Sequence, residues 1–182
     1  MTWNQRPRVV GRMGVLSVLV PLIAVVTALI IGNMLVLDYI HVLLGAIWTG
    51  VDVFFGVIFR LIYRDLSPET RMTVAHRVMP ATLFFMPTAS ILTPLAGYFL
   101  AVRENIWNPS SSIFTWIIIV AVLLVLSGFL TVFLNSLLIA RSEVTDDSVI
   151  RRRLSWICNG ALLQLAFQVV IFSLMAYLVV FH

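Results

Sequence analysis

The chain contains no lysine: all twelve of its basic residues are arginine. An internal lysine Schiff base is therefore excluded, and with it a retinal protein of the usual kind or imine chemistry carried by an ε-amine. Cysteine is nearly absent. Cys158 stands alone in an apolar stretch, where a thiol behaves as a small hydrophobe, so no intrachain disulfide, redox pair or cysteine metal cluster is available. Histidine occurs only at His41, His76 and His182, and charged residues make up only 11% of the chain. No segment reads as a soluble domain, an internal repeat or a low-complexity linker, and no nucleic-acid partner is expected.

What remains is apolar. Hydrophobic residues are 61% of 182, more than one soluble core of this size can hide, so the solvent must be lipid. Apolar runs at about 15–34, 36–62, 79–102, 113–140 and 156–181 are each long enough to cross roughly 30 Å of hydrocarbon. They predict an all-α polytopic bundle of about five transmembrane helices, forming a single transmembrane domain over 1–182. The first run follows a basic leader (Arg6, Arg8, Arg12) like a signal peptide, but it is too long for a typical apolar core of one and is expected to be a retained helix. With the N-terminus inside, eleven arginines fall on the cytoplasmic side (the leader, Arg60, Arg64, Arg71, Arg77, Arg141 and Arg151 to Arg153), and only Arg103 lies outside. The positive-inside rule then predicts a cytoplasmic N-terminus and a multi-pass protein of the cell membrane.

The connections carry capping chemistry. Ser67-Pro68-Glu69 supplies an N-cap, a proline at the first helical position and an acid in the first turn, so the third helix should begin well before its apolar run and project from the membrane. Asp146-Asp147 before Arg151 repeats the pattern for the fifth, and Asn108-Pro109 through Ser112 is a loop ending in caps for the fourth. The arginine clusters serve topology and attraction to anionic lipid.

Ionisable groups inside a membrane are costly and tend to be functional. The second run holds the richest set: His41, Gly45, Trp48, Asp52 and Gly56 are spaced by four, three, four and four, which places them on one helical face. Asp52 should lie about 16 Å deeper than His41, near mid-membrane. A carboxylate there would forfeit its hydration, so Asp52 is expected to be neutral and able to release a proton when its surroundings change, which makes it the candidate for proton transfer. The small residues flanking Trp48 leave room for either a flat ligand or a close helix neighbour.

The segment His41-Val-Leu-Leu-Gly45-Ala-Ile-Trp48-Thr-Gly50 resembles the H-x3-G-x2-W-x-G signature of a loose superfamily of small bacterial membrane proteins. These include the copper-resistance D family, the membrane-bound protoporphyrinogen oxidase family and the membrane anchor of a cytochrome-linked urate oxidase. The resemblance covers part of the second run and, more vaguely, the connection and run that follow. It implies a helical bundle in which His41 ligates a b-type haem, with Gly45 and Trp48 beside the ring, as in a cytochrome b or another electron-transport oxidoreductase. The chain departs from the oxidase pattern in lacking lysine, and from the copper pattern in lacking further intramembrane histidines or methionine clusters.

Depth separates the histidines. His76 lies near the cytoplasmic start of the third run and is expected about 20 Å or more from His41, where a propionate or substrate contact would suit it better than the same iron. His182, at the outer end of the fifth run, and Met34, placed at the outer end of the first, are the candidate second ligands; otherwise the iron is five-coordinate or takes a ligand from a partner subunit. Pro80, Pro87 and Pro94 repeat every seven residues of the third run; Pro87 and Pro94 free the Leu83 and Ser90 carbonyls. Such kinks either serve packing or open a cavity lined by Thr88, Ser90 and Thr93. Ser127, Thr131 and Asn135 in the fourth run, and Gln164 and Gln168 in the fifth, suit hydrogen bonding between helices, with no nucleophile and base among them. The chain is expected to be a b-haem or redox-associated membrane protein coupled to proton transfer. The alternatives are a non-catalytic subunit or assembly factor, working with other membrane subunits or as a homo-oligomer, and a small metal-ion or proton permease.

Overall fold

A computed structural model of the chain describes residues 12–141 and 146–181. Among these residues there are five helices long and apolar enough to cross a membrane, and no strand. They are α1 (Arg12–Ile31), α2 (Met34–Asp65), α3 (Pro68–Arg103), α4 (Ser112–Arg141) and α5 (Asp147–Phe181). The all-α bundle expected from the apolar runs is therefore present.

Local chemistry sets the helix ends. Gly32, at φ 73°, takes the left-handed conformation that an L side chain resists and ends α1, and the Asn33 side chain then accepts from the Leu35 and Val36 amides to cap α2. Met34 is thus the first residue of α2, not the last of α1 as the apolar run suggested. Ser67 accepts from the Thr70 amide with Pro68 at the first helical position, and α3 runs unbroken for 36 residues, beginning ahead of its apolar stretch as expected. Ser111 caps α4 by accepting from Phe114 N. At the start of α5 the Asp146 carboxylate accepts from Ser148 N at 2.9 Å. Bonds from the Ser148 side chain and backbone hold that carboxyl below the usual range.

Two-residue connections make α1 and α2, and α2 and α3, antiparallel neighbours. α3 packs against α1, α2, α4 and α5, and α5 packs also against α2 and α4, so α2 to α5 surround a shared interior with α1 on the α2–α3 side. That interior holds Trp48, Phe55, Phe59, Met79, Met86, Leu124, Ile139 and Ile157, while large apolar side chains such as Ile30, Leu35 and Val179 stand exposed as lipid would require.

Two segments depart from α geometry. α2 passes through a π-helical turn at Phe54–Phe59 and α4 through another at Gly128–Phe133, and both turns pack against α5. The three prolines do not break α3. Its Thr88 and Ser90 hydroxyls turn back to the Phe84 and Pro87 carbonyls, and the Thr93 methyl sits 3.6 Å from where a Cβ on Gly45 would be. Of the lining expected for a cavity between α2 and α3, the Thr88 and Ser90 hydroxyls are taken up within α3, while the buried Thr93 hydroxyl has no partner among the described residues.

Arginine joins the ends. Arg71 is 5% exposed; its Nη1 donates to both Asp147 oxygens at 2.7 and 2.6 Å, its Nε to Tyr63 O at 3.0 Å and its Nη2 to Leu66 O at 2.7 Å. One guanidinium thus caps the carbonyl end of α2 and clamps the start of α5. At the opposite end Arg103 donates from Nη2 to Leu29 O at 2.8 Å, satisfying one of the last carbonyls of α1.

Candidate functional site

The periodicity of α2 brings its polar residues inward: His41, Gly45, Trp48 and Asp52 are all buried on the face turned to the bundle. They divide into an outer and an inner group, about 16 Å apart along the helix.

In the outer group His41 meets α3. Its Nδ1 lies 2.9 Å from Thr93 O, and since a carbonyl only accepts, Nδ1 carries the hydrogen, which in the neutral ring leaves the lone pair on Nε2. The ring leads with its Cε1 edge toward Gly97, where a Cβ would stand 2.8 Å from that carbon. Gly97 is thus the residue that lets imidazole and helix backbone approach. Gly45 and Gly56 likewise receive neighbours, the Thr93 methyl and Leu162 of α5 respectively. Of the two uses open to these small residues, close helix contact is the one present.

The inner group joins α2 to α5. Asp52 has no exposed surface, and its Oδ2 accepts from Gln168 Nε2 at 2.9 Å. Asp52 Oδ1 and Gln168 Oε1 have no partner among the described residues, and neither do Trp48 Nε1 and both polar atoms of Gln164. Gln164, one turn from Gln168, rests against the start of the α4 π-turn, with its Oε1 2.9 Å from where a Cβ on Gly128 would be. Buried polar atoms without partners are uncommon; others stand apart at Thr93 Oγ1, Arg103 Nη1 and Arg153 Nε, but these five lie on neighbouring turns of α2 and α5 beside two π-turns, a helix distortion frequent at functional sites. The two orphaned oxygens on Asp52 and Gln168 are both acceptors. A proton on Oδ1 would turn that oxygen into a donor, the one kind of group that an unpartnered acceptor such as Oε1 requires.

His76 lies 17 residues before Thr93 on α3, hence about 25 Å from His41 along the axis, so the two do not meet. Met34 lies on the same helix as His41, about 10 Å along it and 40% exposed, so two such ligands cannot face each other across one iron. His182 lies outside the described residues. A b-type haem implied by the signature thus finds one matching feature, a buried imidazole whose Nδ1 donates to a carbonyl and whose Nε2 is left to ligate. Neither His76 nor Met34 joins His41, so the residue of this chain that would hold such a group is His41.

Trp48 was legible as a member of the stripe, but its 4% exposure sets it in the main apolar cluster with Phe55 and Met86. Gln168 makes the interhelical hydrogen bond that its place in the fifth run suggests, with a partner the sequence does not identify, whereas nothing in the local sequence marks Gly97 as the neighbour of His41. Compared with protein families, curated proteins and solved structures, the chain matches none of them.

Proposed function

We propose that the chain is a redox-associated protein of the cell membrane in which Asp52 holds and passes a proton and His41 offers Nε2 to a b-type haem. The observation that carries the reading is the Asp52–Gln168 pair: a fully buried carboxyl, half satisfied, facing an amide whose free oxygen a proton would engage. In this reading a protonated Oδ1 donates to Oε1 and ionisation leaves two acceptors without a donor, so protonation, local hydrogen bonding and the contact between α2 and α5 change together. A buried acid of this kind has little use in a passive scaffold. The haem, when bound, would supply the electron. The protein's part is to fix the His41 tautomer through Thr93, to exclude water and to keep a proton acceptor deeper in the bundle. The nine described arginines at one end of the bundle, Arg12, Arg60, Arg64, Arg71, Arg77, Arg141 and Arg151 to Arg153, support a cytoplasmic placement of that end.

Absorption spectra of the detergent-purified protein, oxidised and dithionite-reduced, test the reading. Haem bands should vanish in His41→Ala, persist in His76→Ala, and persist in Asp52→Asn while the midpoint potential loses its pH dependence. A colourless protein defeats the haem assignment. A proton permease is the second reading, favoured because the Asp52–Gln168 exchange needs no cofactor; pH-driven dye quenching in proteoliposomes, abolished by Asp52→Asn, would support it.

A further inference from the structure

At the arginine-rich end a cavity of about 540 Å³ opens between the last turns of α2 and the first turns of α5. That volume falls within the roughly 300–1,000 Å³ typical of small-ligand sites. Three guanidinium groups, those of Arg64, Arg151 and Arg152, line it, and among the described residues none of them makes an ion pair or hydrogen bond. The one carboxylate in the lining, Asp147, is already neutralised by Arg71 from behind. The wall is therefore strongly cationic without an internal counter-ion. Ser155 adds a hydroxyl donor, while the Ser148 hydroxyl is engaged by Asp146; Asn159 accepts from Arg60 through Oδ1, which leaves its amide nitrogen to donate. Apart from the Asp147 carboxylate, the polar groups here suit an anion with several acceptor oxygens, and planar guanidinium forks match phosphate in particular.

The position of the cavity narrows the source. Trp156, on its wall, is 56% exposed, and Leu61 and Ile62 next to it on α2 are 64% and 49% exposed, so the cationic pocket opens where the apolar surface ends. Tryptophan at that level marks the membrane–water interface, and basic pockets between transmembrane helices bind anionic headgroups there. We propose that this cavity is a binding site for a phosphate-bearing anion, and that its occupant is the headgroup of an anionic phospholipid, with Arg64, Arg151 and Arg152 on the phosphate and Trp156 against the glycerol and upper acyl chain.

Lipid titration of the delipidated full-length protein, followed by native mass spectrometry, tests this with phosphatidylglycerol, phosphatidylcholine and inorganic phosphate as probes. Phosphatidylglycerol should bind at least tenfold more tightly than phosphatidylcholine. Each interfacial arginine is worth roughly a five-fold factor, so Arg151→Gln/Arg152→Gln should weaken phosphatidylglycerol binding about twenty-fold. Arg141→Gln, which removes an exposed arginine from the same end but not from the cavity, should leave binding unchanged. Retention of the parent's resistance to dodecyl sulfate shows that the double variant is folded. If millimolar inorganic phosphate displaces phosphatidylglycerol with the same arginine dependence, the site stands and its occupant is free phosphate. Equal binding of both lipids, or a loss in Arg141→Gln as large as in the double variant, overturns the proposal.

Discussion

Replacing Gly97 by alanine should force α2 and α3 apart at His41. The added methyl carbon would stand 2.8 Å from His41 Cε1, where 3.4 Å begins ordinary contact, so the imidazole must retreat by about 0.6 Å. Such a retreat stretches the 2.9 Å bond from Nδ1 to Thr93 O toward 3.5 Å, beyond which it no longer counts as a hydrogen bond. Losing that bond costs about 1 kcal/mol, overpacking costs about 1–3 kcal/mol, and the better helix propensity of alanine returns about 1 kcal/mol. Net destabilisation of about 1–3 kcal/mol follows. Reversible unfolding in mixed dodecyl sulfate micelles would measure it, with His41→Ala and the double variant completing a cycle. In the double variant the alanine methyl occupies space the ring has vacated, so the two losses should be less than additive by about 1 kcal/mol or more. Additive losses, or a Gly97→Ala protein as stable as its parent, would refute the close approach.

Gly50→Ala, with nothing within 4 Å of the new Cβ, should be neutral or stabilise by up to about 1 kcal/mol, whereas Gly160→Ala, whose Cβ would overlap Thr131, should destabilise by about 1–3 kcal/mol in the same assay. Asp147→Asn strands the Arg71 guanidinium, 6% exposed, and should cost about 3 kcal/mol, part of which Arg71→Met in the same chain should recover. Because the Asp146 carboxyl is held below its usual range, its cap is in place above that range and is lost as pH falls through it; the protection of the Ser148 amide relative to its intrinsic exchange rate should fall on acidification, and Asp146→Asn should remove that dependence. With a cytoplasmic N-terminus, cysteine at Ser111 should be labelled from outside and cysteine at Ser67 only after permeabilisation; the reverse pattern would invert the orientation.

The helical spans were legible because a helix in lipid needs a long apolar run, and the caps at Ser67 and Ser111 because capping is a local matter of a few residues. The turn between α1 and α2 was misplaced by a few residues because Gly32-Asn33 interrupts the apolar character too briefly to register. Asp52 could be recognised as buried, since an acid in the middle of an apolar run has nowhere else to go. Its partner could not: Gln168 lies 116 residues away, and only the packing of α5 on α2 sets the two at one depth. The same holds for Gly97 against His41, for Arg71 holding three helix-end groups, and for the cationic cavity built from two distant arginine clusters. The π-turns left no mark either, since Phe54–Phe59 is composed like any other stretch of its helix.

Those turns bear on how the gene can change. A single-residue deletion in a transmembrane helix ordinarily swings everything beyond it by about 100° and ruins the buried face. A π-turn already holds a surplus residue, so removing one within 54–59 or 128–133 would return the helix to α geometry with both flanking halves near their present alignment. Removing one between His41 and Asp52 would instead turn the imidazole and the carboxyl toward different neighbours. Each of these helices thus contains a short stretch where length can vary between descendants while the residues on either side keep their partners on α5.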